Sequence, residues 1–318
     1  MRIHIPSEHA AIGNSFGYRR AATELRKALA ALHVYSDCAD AADAHVYVTP
    51  PHLFPSEPPH SSVLFTMFEG HVLPPEYLTA CAKAGAVVVP SRHNQLIFST
   101  AGVKAFRCPL GVDGELFRYS ARKAAGQGRR FRFLWVGAPN PRKGWPILDR
   151  AWKLGFADDG RVELYVKTTS REQRLERGGN IIADSRTIDD VELAALYESA
   201  HCFVFPSYGE GFGLTLAEAM STGLPAVFTN CGGVTEFASR KNGYPVKTAT
   251  VRVEYFGPNR AWAADIDNLT TKMRAVLNNY PRALMKGRRA ADFIATNLTW
   301  RHSAGRLKDF LAMTFSRN

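Results

Sequence analysis

Residues 203–220 read FVFPSYGEGFGLTLAEAM. An apolar run ends at Phe205, a turn with three glycines spans residues 209–213, and helical spacing begins at about Leu214. Glycines let a backbone approach a ligand closely, and the free N–H groups at the start of a helix favour phosphate oxygens. The stretch therefore predicts a strand, an anion-binding turn and a helix, in that order.

Two carboxylates belong to the same stretch. Glu210 lies in the glycine turn, and Glu218 follows eight positions later, about two turns into the predicted helix. Carboxylates accept hydrogen bonds from the hydroxyl groups of sugars and riboses. We predict that both glutamates face one elongated ligand that carries phosphate and hydroxyl groups. A capped helix with a solvent-facing glutamate is the alternative interpretation.

A second strand-and-turn segment, residues 133–145, reads FLWVGAPNPRKGW. Arg142 and Lys143 follow the end of its strand, and the ligands of parallel α/β sheets bind at the carboxyl ends of the strands. A guanidinium offers a planar fork of donors and an ammonium offers a point charge. The pattern predicts that the two cations bind a diphosphate. A solvated surface position is the alternative for each of them, and it is the stronger alternative for Arg142.

Strands and helices alternate in both halves of the chain. Residues 18–32, YRRAATELRKALAAL, show the clearest helical spacing. The predicted strands of the first half are 2–5, 45–49, 63–66, 86–90 and 106–110, and those of the second half are 131–136, 162–167, 180–183, 202–205 and 226–229. Such alternation predicts parallel sheets covered by helices, and two series of it predict an α/β fold with two Rossmann-like domains.

The 318 residues divide into three predicted segments. Residues 1–125 form an N-terminal Rossmann-like domain and residues 126–298 a C-terminal one. The linker is Ser120–Arg130, SARKAAGQGRR, which is rich in glycine and basic residues and has no apolar period. Residues 299–318 carry a last amphipathic segment, Trp300–Leu311, which is long enough to cross back to the first domain as a helix.

The net charge is +11, and it is unevenly distributed. Residues 1–125 hold 12 Lys and Arg against 10 Asp and Glu, while residues 126–318 hold 28 against 19. A solvated basic surface is the simplest interpretation, and phosphate, an anionic membrane surface and nucleic acid stay open as partners. The excess lies in the second half and no aromatic–basic interleaving marks a nucleic-acid path. DNA is therefore the less favoured partner.

Composition and apolar patterning favour a soluble protein. The mean hydropathy is −0.18, and no apolar run reaches the roughly 20 residues of a membrane-spanning helix. The first residues, MRIHIPSEHA, lack the apolar core of a secretory signal, so we expect a cytoplasmic location, with peripheral membrane contact left open. Five widely spaced cysteines without a Cys-x-x-Cys pair predict reduced core thiols rather than disulfides or a zinc site.

The segment PSYGEGFGLTLAEAM, with its two glutamates, resembles the signature of the retaining glycosyltransferases of family 4, which have the GT-B fold. The resemblance implies two Rossmann-like domains whose parallel sheets face each other across a cleft, with the acceptor site in the first and the nucleotide-sugar site in the second. It implies that Glu210 contacts the transferred sugar and that Glu218 binds the ribose hydroxyls. The donor's sugar and diphosphate are implied to lie on the backbone of Gly211, Phe212, Gly213, Leu214 and Thr215.

The Pro-Arg-Lys-Gly run at 141–144 resembles the family's cations that neutralise the leaving diphosphate, which implies catalytic roles for Arg142 and Lys143. Ala138 departs from the pattern, because many members have Arg directly after the glycine of this strand. The second cation is then Arg142, another residue, or absent.

Two residues of the first half are weaker candidates. Gly17, ahead of the first helical run, would let the N-terminal domain approach the phosphates, although a loop glycine in this place is common. Glu69 follows the strand at 63–66, where many family members place a sugar-contacting histidine. It would hold a hydroxyl of the acceptor or of the donor sugar, and a purely structural role is the alternative.

The activity that the resemblance implies is hexosyl transfer from a nucleoside diphosphate sugar to a hydroxyl acceptor, with retention of the anomeric configuration. It implies no metal ion and no cofactor, since the nucleotide sugar is a substrate. We expect the acceptor to be a saccharide, a lipid-linked sugar or a small metabolite. The alternatives are transfer to a hydroxymethylated base of DNA, a sugar-nucleotide epimerase or phosphorylase on the same fold, and an inactive partner subunit.

Overall fold

The computed structural model describes residues 1–6, 16–122, 129–138, 140–168, 179–253 and 259–315. They form two compact units, Met1–Gly111 with Asn297–Asn318, and Val112–Thr296. The strands are β1 (Ile3–His4), β2 (Ala44–Val48), β3 (Ser62–Phe65), β4 (Ala86–Val89), β5 (Ala105–Arg107), β6 (Phe131–Val136), β7 (Val162–Lys167), β8 (Ile181–Asp184), β9 (Cys202–Phe205), β10 (Ala226–Thr229), β11 (Tyr244–Val246), β12 (Thr248–Arg252) and β13 (Arg260–Ala264). The helices are α1 (Phe16–Ala31), α2 (Pro75–Lys83), α3 (Arg92–Thr100), α4 (Trp145–Gly155), α5 (Asp190–Ser199), α6 (Leu214–Ser221), α7 (Ile266–Asn278), α8 (Tyr280–Asn297) and α9 (Trp300–Phe315).

The sheet of the first unit contains β1 to β5 in sequence order, and every neighbouring pair is parallel. Val46, Val63 and Val88 in these strands are fully buried. Strands that are covered on both faces form continuous apolar runs, which is why the sequence reveals them. Helices α1 and α9 pack against each other in this unit, and α9 also stacks Phe310 on Phe106 of β5 with ring centroids 4.1 Å apart.

The sheet of the second unit has the order β11-β10-β9-β6-β7-β8, and all its pairs are parallel. Strand β6 comes first in the chain and lies in the middle of the sheet. The chain then adds β7 and β8 on one side of β6, and β9, β10 and β11 on the other. The strand order therefore reverses between β6 and β9. Doubly wound sheets bind their ligands at such a reversal, outside the carboxyl ends of the strands.

An aromatic-rich core supports this sheet. Phe133 and Trp152 are completely buried, and their rings meet edge to face with centroids 5.7 Å apart. The indole N–H of Trp152 donates to Asn180 Oδ1 at 2.9 Å, so the polar atom of this buried ring is satisfied. Helices α4 and α7 pack against each other over the same core. The loops at the carboxyl ends of the strands thus rise from a densely packed base.

Most predicted elements of the second unit are confirmed. Strands β6, β7, β9 and β10 have the predicted bounds, and β8 begins and ends one residue later than predicted. The sequence does not predict β11 or the antiparallel pair of β12 and β13. The residues of β12 are exposed or half-exposed, so they lack the buried periodicity that reveals a strand.

The boundary between the two units lies nearer the N-terminus than the sequence predicts. The predicted linker starts at Ser120, whereas the second unit already starts at Val112. Phe117 packs against Tyr197, and the N–H of Ser120 donates to the carbonyl oxygen of Thr222 at 3.1 Å. Arg122 also donates to Thr222 and to the carbonyl oxygen of Tyr197. These contacts attach the segment to the second unit, while residues 123–128 of the predicted linker lie outside the described residues.

The five cysteines are free thiols, and four of them are buried as predicted. Cys38 is exposed, so the prediction of core thiols is wrong for this residue, which lies outside the regular elements between α1 and β2. Within the described ranges, none of the helices combines the length and the apolar character needed to cross a membrane.

Two glycine-to-alanine changes test the packing of the last helices. Alanine normally stabilises a helix interior by about 1 kcal/mol relative to glycine. In α8, however, a Cβ on Gly287 would lie 2.1 Å from the carbonyl oxygen of Gly223, so we expect Gly287→Ala to lower the free energy of unfolding by about 2 kcal/mol.

In α9 a Cβ on Gly305 meets nothing within 4 Å, so Gly305→Ala should raise the free energy of unfolding by about 0.5–1 kcal/mol. Urea denaturation measures both, and stabilisation by Gly287→Ala would contradict the close approach of α8 to Gly223.

Candidate active site

The reversal of strand order brings two loops together, residues 137–144 after β6 and residues 206–213 after β9. The first loop contains the 3-10 helix Pro141–Lys143, and its N-cap residue Asn140 accepts a hydrogen bond from the N–H of Arg142 at 2.8 Å. Gly144 ends this short helix in the left-handed conformation, with φ of 74°, and α4 begins at once. The cap and the glycine fix the direction in which Arg142 and Lys143 leave the backbone.

Backbone contacts join the two loops. The N–H of Tyr208 donates to the carbonyl oxygen of Arg142 at 2.8 Å, and the hydroxyl oxygen of Ser207 lies 3.0 Å from the same oxygen. A Cβ on Gly144 would lie 2.0 Å from the carbonyl oxygen of Pro206, where no side chain fits. A glycine at position 144 is therefore a condition for the contact between the loops.

The turn after β10 supports the other side of residues 206–213. The N–H of Gly233 donates to the carbonyl oxygen of Glu210 at 2.7 Å. A Cβ on Gly233 would lie 2.0 Å from the carbonyl oxygen of Gly211, and one on Gly232 would lie 2.8 Å from that of Glu210. The loop after β9 is thus held between two glycine-bearing turns, and its backbone at 209–211 is fixed by both.

The side chain of Glu210 lies between the two cations. Its Oε1 is 2.7 Å from Lys143 Nζ, and its Oε2 is 2.9 Å from Arg142 Nη1. Ser207 Oγ donates to Oε1 at 2.8 Å. The side chains of Arg142, Lys143 and Glu210 are only 13%, 16% and 9% exposed, so neither cation is a solvated surface residue. We call these three side chains the ion cluster.

The ion cluster carries a net positive charge. Burial raises the pKa of Glu210, but the charges of Arg142 and Lys143 outweigh burial and hold the pKa at about 2, below its ordinary value of 4.5. The hydrogen bonds from Lys143 and Ser207 act in the same direction. The carboxylate is therefore ionised at neutral pH, and two cations stand against one anion. Such a cluster attracts further negative charge at the carboxyl ends of β6 and β9.

The start of α6 adds partial positive charge to the same loop. Gly213 precedes the helix with φ of 97°, and its carbonyl oxygen accepts hydrogen bonds from the N–H groups of Leu216 and Ala217. The N–H groups of Leu214 and Thr215 belong to the first turn, where a helix offers no acceptor of its own. Together with the helix dipole, these N–H groups favour the binding of a phosphate oxygen at the start of α6.

Two of the predicted donor-binding residues have buried side chains. Phe212 is 1% exposed and packs on Phe237 with ring centroids 5.2 Å apart, so only its backbone is left for a ligand. Glu218 is 4% exposed and occupies the second turn of α6. Gly211 and Gly213 are also buried. For residues 211–213, main-chain groups are therefore left for the predicted contacts with a donor, as the glycine pattern indicates.

Gly17 and Glu69 belong to the first unit. The sequence places Gly17 ahead of the first helix, but α1 begins at Phe16, so Gly17 lies in its first turn. A Cβ there meets nothing within 4 Å, and nothing in the described geometry requires glycine. Glu69 follows β3 as predicted, in a loop that Asn94 anchors through hydrogen bonds of 2.7 and 2.9 Å to the backbone of Phe68. Its contact with a sugar stays a prediction.

Sequence reasoning missed Ser207 and the pairing of both cations with Glu210. The hydroxyl of Ser207 lies near Glu210 Oε1, the carbonyl oxygen of Arg142 and that of Gly209, at 2.8, 3.0 and 3.1 Å. Short polar residues between a strand end and a glycine turn often form hydrogen bonds with the loop backbone. The position of Ser207 in the sequence could therefore have indicated its role. The ion pairs join residues 67 and 68 positions apart, so no local pattern reveals them.

Residues 130–271 match the family described as glycosyl transferases group 1. That range contains the ion cluster, the glycine turn and Glu218. The MMP alpha-(1->4)-mannosyltransferase of Mycolicibacterium hassiacum is 28% identical over 227 residues, which are 68% of this chain and 49% of that protein. O-antigen chain mannosyltransferase B of Escherichia coli is 47% identical over 120 residues, which are 32% of this chain and 29% of that protein. The chain thus spans about half or less of the length of these curated relatives.

Solved structures establish the fold class. Anabaena HepE in complex with UDP has a TM-score of 0.71 at 15% identity, covering 98% of this chain and 100% of that one. The sucrose-phosphate synthase of Thermosynechococcus elongatus has a TM-score of 0.68 at 18% identity, covering 96% and 80%. The predicted fold class is confirmed, since the described residues form parallel sheets in two Rossmann-like halves and the chain resembles solved structures of the GT-B type.

Unfolding at different pH values tests the ion cluster. Removing one partner of a buried ion pair leaves uncompensated charge, so Glu210→Gln should lower the free energy of unfolding by about 3 kcal/mol at pH 7. Because the folded-state pKa of Glu210 is depressed, its contribution is complete above pH 4.5 and disappears as the pH falls toward 2. The difference between the two proteins should therefore shrink in acid.

A control for this change is Asp292→Asn. Asp292 forms an exposed ion pair with Arg288 on α8, with Nε and Oδ1 2.9 Å apart. Its loss should cost at most about 1 kcal/mol. Equal losses in the two variants, or a Glu210→Gln deficit that stays constant down to pH 3, would show that the cluster does not hold a buried charge.

Proposed function

We propose that the chain is a retaining, metal-independent glycosyltransferase of family 4, which moves a hexosyl group from a nucleoside diphosphate sugar to a hydroxyl acceptor. The observation that carries the proposal is the position of the ion cluster. Its excess positive charge lies at the strand-order reversal of a doubly wound sheet, beside the glycine turn that opens α6. A diphosphate complements this site, because its negative charge offsets the excess positive charge and its oxygens accept hydrogen bonds from the donors there. The match of residues 130–271 to glycosyl transferases group 1 supports the same assignment.

In the proposed reaction, Arg142 and Lys143 stabilise the negative charge that develops on the leaving diphosphate. The bond between the anomeric carbon and the β-phosphate oxygen breaks, and a bond from the same carbon to the acceptor oxygen forms on the same face of the sugar. The acceptor proton moves to the leaving phosphate oxygen, so the step needs no protein base. Donors that are held in place before the reaction stabilise such charge without reorganisation, and the glycine turns and the Asn140 cap hold these donors.

The two glutamates have different proposed roles. Glu210 faces the transferred sugar and supports the positive charge that develops on its ring. Glu218 lies in the second turn of α6 and accepts hydrogen bonds from the ribose hydroxyls of the donor. The order of the two residues along the segment agrees with an elongated donor that runs from its sugar, past the start of α6, to its ribose.

The acceptor is proposed to be a saccharide, a lipid-linked sugar or a small metabolite. The relatives that match part of the chain include two mannosyltransferases and a D-inositol 3-phosphate glycosyltransferase of Paenarthrobacter aurescens, 46% identical over 149 residues. Such diverse relatives support hydroxyl-bearing acceptors as a class. Glu69 of the first unit is our candidate for an acceptor or sugar contact.

A metal-free binding test comes first. Because cationic side chains and helix N–H groups supply the charge that a metal ion would otherwise supply, a nucleoside diphosphate should raise the melting temperature in the presence of EDTA. A ligand at 100 times its dissociation constant stabilises the folded state by about 2.7 kcal/mol, which is readily measured. Thermal unfolding with UDP, GDP and ADP, each with EDTA and with Mg²⁺, decides the point. Unchanged melting with all three nucleotides, or stabilisation only with Mg²⁺, would count against the proposal.

Kinetics of two variants separate the diphosphate contact from the ribose contact. A charge-assisted hydrogen bond is worth about 1.5–3 kcal/mol, so Lys143→Ala should lower kcat/KM about ten- to hundredfold, with losses in both kcat and donor affinity. Glu218→Ala should chiefly raise the donor KM. Lys153→Ala is the matched control, because Lys153 is a half-exposed lysine of α4 that pairs with Asp149. Kinetic constants of Lys143→Ala equal to those of Lys153→Ala would refute the assignment of Lys143.

A further inference from the structure

A strongly basic segment lies in the last part of the second unit. Residues 268–291, which include large parts of α7 and α8, hold six Lys and Arg and no Asp or Glu. The next acidic residue along the chain, Asp292, pairs with Arg288. The segment therefore contributes much of the positive charge of the second half, and neither the ion cluster nor the glycine turn contains any of these six residues.

Cations from three parts of the second unit gather around Lys286. Burial lowers the pKa of Lys286, and the positive charges of its neighbours lower this pKa further; the neighbours are Arg282, Arg289, Lys272 and Arg240. Three of the four, Arg240, Arg282 and Arg289, are exposed. We call Lys286 and its four neighbours the basic face. A concentration of like charge at an exposed surface attracts an anionic partner.

The basic face lies at the edge of the sheet opposite the ion cluster. The ammonium of Lys286 donates to the carbonyl oxygen of Gly243 at 2.9 Å, and Gly243 directly precedes β11. Gly287 approaches the carbonyl oxygen of Gly223, which comes shortly before β10. Both contacts are at the amino ends of strands, whereas the ion cluster lies at the carboxyl ends. A partner on the basic face therefore leaves the ion cluster accessible.

Apolar side chains share the outer face of α8 with the arginines. Met285 is 59% exposed and Phe293 is 38% exposed. Arg282, Met285, Arg289 and Phe293 follow one another at spacings of three or four residues, so they form one stripe along the helix. Two exposed apolar side chains, about 12 Å apart along the axis, thus alternate with two guanidinium groups. Helices that lie in a membrane interface combine basic and apolar side chains in this way.

We propose that the basic face and the outer stripe of α8 dock the second unit on a membrane surface that contains anionic phospholipids, with α8 parallel to that surface. The cations pair with headgroup phosphates, and Met285 and Phe293 enter the boundary between headgroups and acyl chains. A nucleic acid also offers phosphates, but its backbone provides no apolar layer for these two side chains. The charge and the apolar stripe together therefore favour the membrane. This inference does not depend on the reaction that the ion cluster carries out.

Vesicle co-sedimentation tests the contact. Wild type should bind vesicles of phosphatidylcholine mixed with phosphatidylglycerol in equal amounts, and should not bind vesicles of phosphatidylcholine alone. Each cation at an anionic surface contributes roughly a factor of five, so Arg282→Gln/Arg289→Gln should weaken binding about 25-fold. The control Lys83→Gln/Lys104→Gln removes the same charge from exposed positions of the first unit and should match wild type. Equal binding to both kinds of vesicle, binding to neither, or equal losses in the two double variants would overturn the inference.

Met285→Gln distinguishes a membrane from a soluble polyanion. It removes an exposed apolar side chain without changing the charge, so the affinity for the anionic vesicles should fall about fivefold. The affinity for duplex DNA, measured in the same buffer, should not change. Because positions 282, 285 and 289 are exposed, these variants should keep the wild-type melting temperature. An unchanged vesicle affinity of Met285→Gln would mean that the surface binds by charge alone, which would contradict the proposed insertion.

Discussion

The ion pairs of Glu210 with Arg142 and Lys143 join the loops after β6 and β9. Two largely buried cations need a neighbouring anion, and a buried carboxylate stays ionised only when cations outweigh the cost of burial. The partners come from loops that are far apart in the chain. They meet because the strand order reverses between β6 and β9, which places the carboxyl ends of these two strands side by side. The strand order of the sheet therefore determines where the charged side chains of the site meet.

Glycine makes this arrangement geometrically feasible. Gly144 on one side and Gly232 and Gly233 on the other allow backbones to meet at distances that any side chain would prevent. The loop after β9 is consequently rigid where it carries Glu210, and it passes directly into α6. A rigid loop with cations, a carboxylate and helix N–H groups at one sheet edge is a preorganised place for a phosphorylated ligand. The likeness to GT-B structures concerns the fold, and the chemistry follows from these particular residues.

The sequence predicts the second sheet well because its strands are buried on both faces and form continuous apolar runs, so that β6, β7, β9 and β10 have their predicted bounds. It also predicts that Arg142, Lys143 and Glu210 belong to one site. It does not predict their mutual pairing, the role of Ser207 or the unit boundary at Gly111, because each depends on contacts between distant segments. Gly17 lies inside α1 rather than ahead of it, since the helix starts at Phe16, two residues before the predicted start at Tyr18. Strand β12 is largely exposed, so its sequence lacks the apolar periodicity that predicts a strand.

The most direct test of diphosphate binding by the ion cluster is a crystal structure of the protein with the nucleoside diphosphate that stabilises it most, grown without divalent metal. We expect terminal phosphate oxygens at hydrogen-bonding distance, about 3 Å, from the side chains of Arg142 and Lys143 and from the first N–H groups of α6. Density for the diphosphate at the carboxyl ends of β7 and β8, or anywhere in the first unit away from the ion cluster, would contradict it.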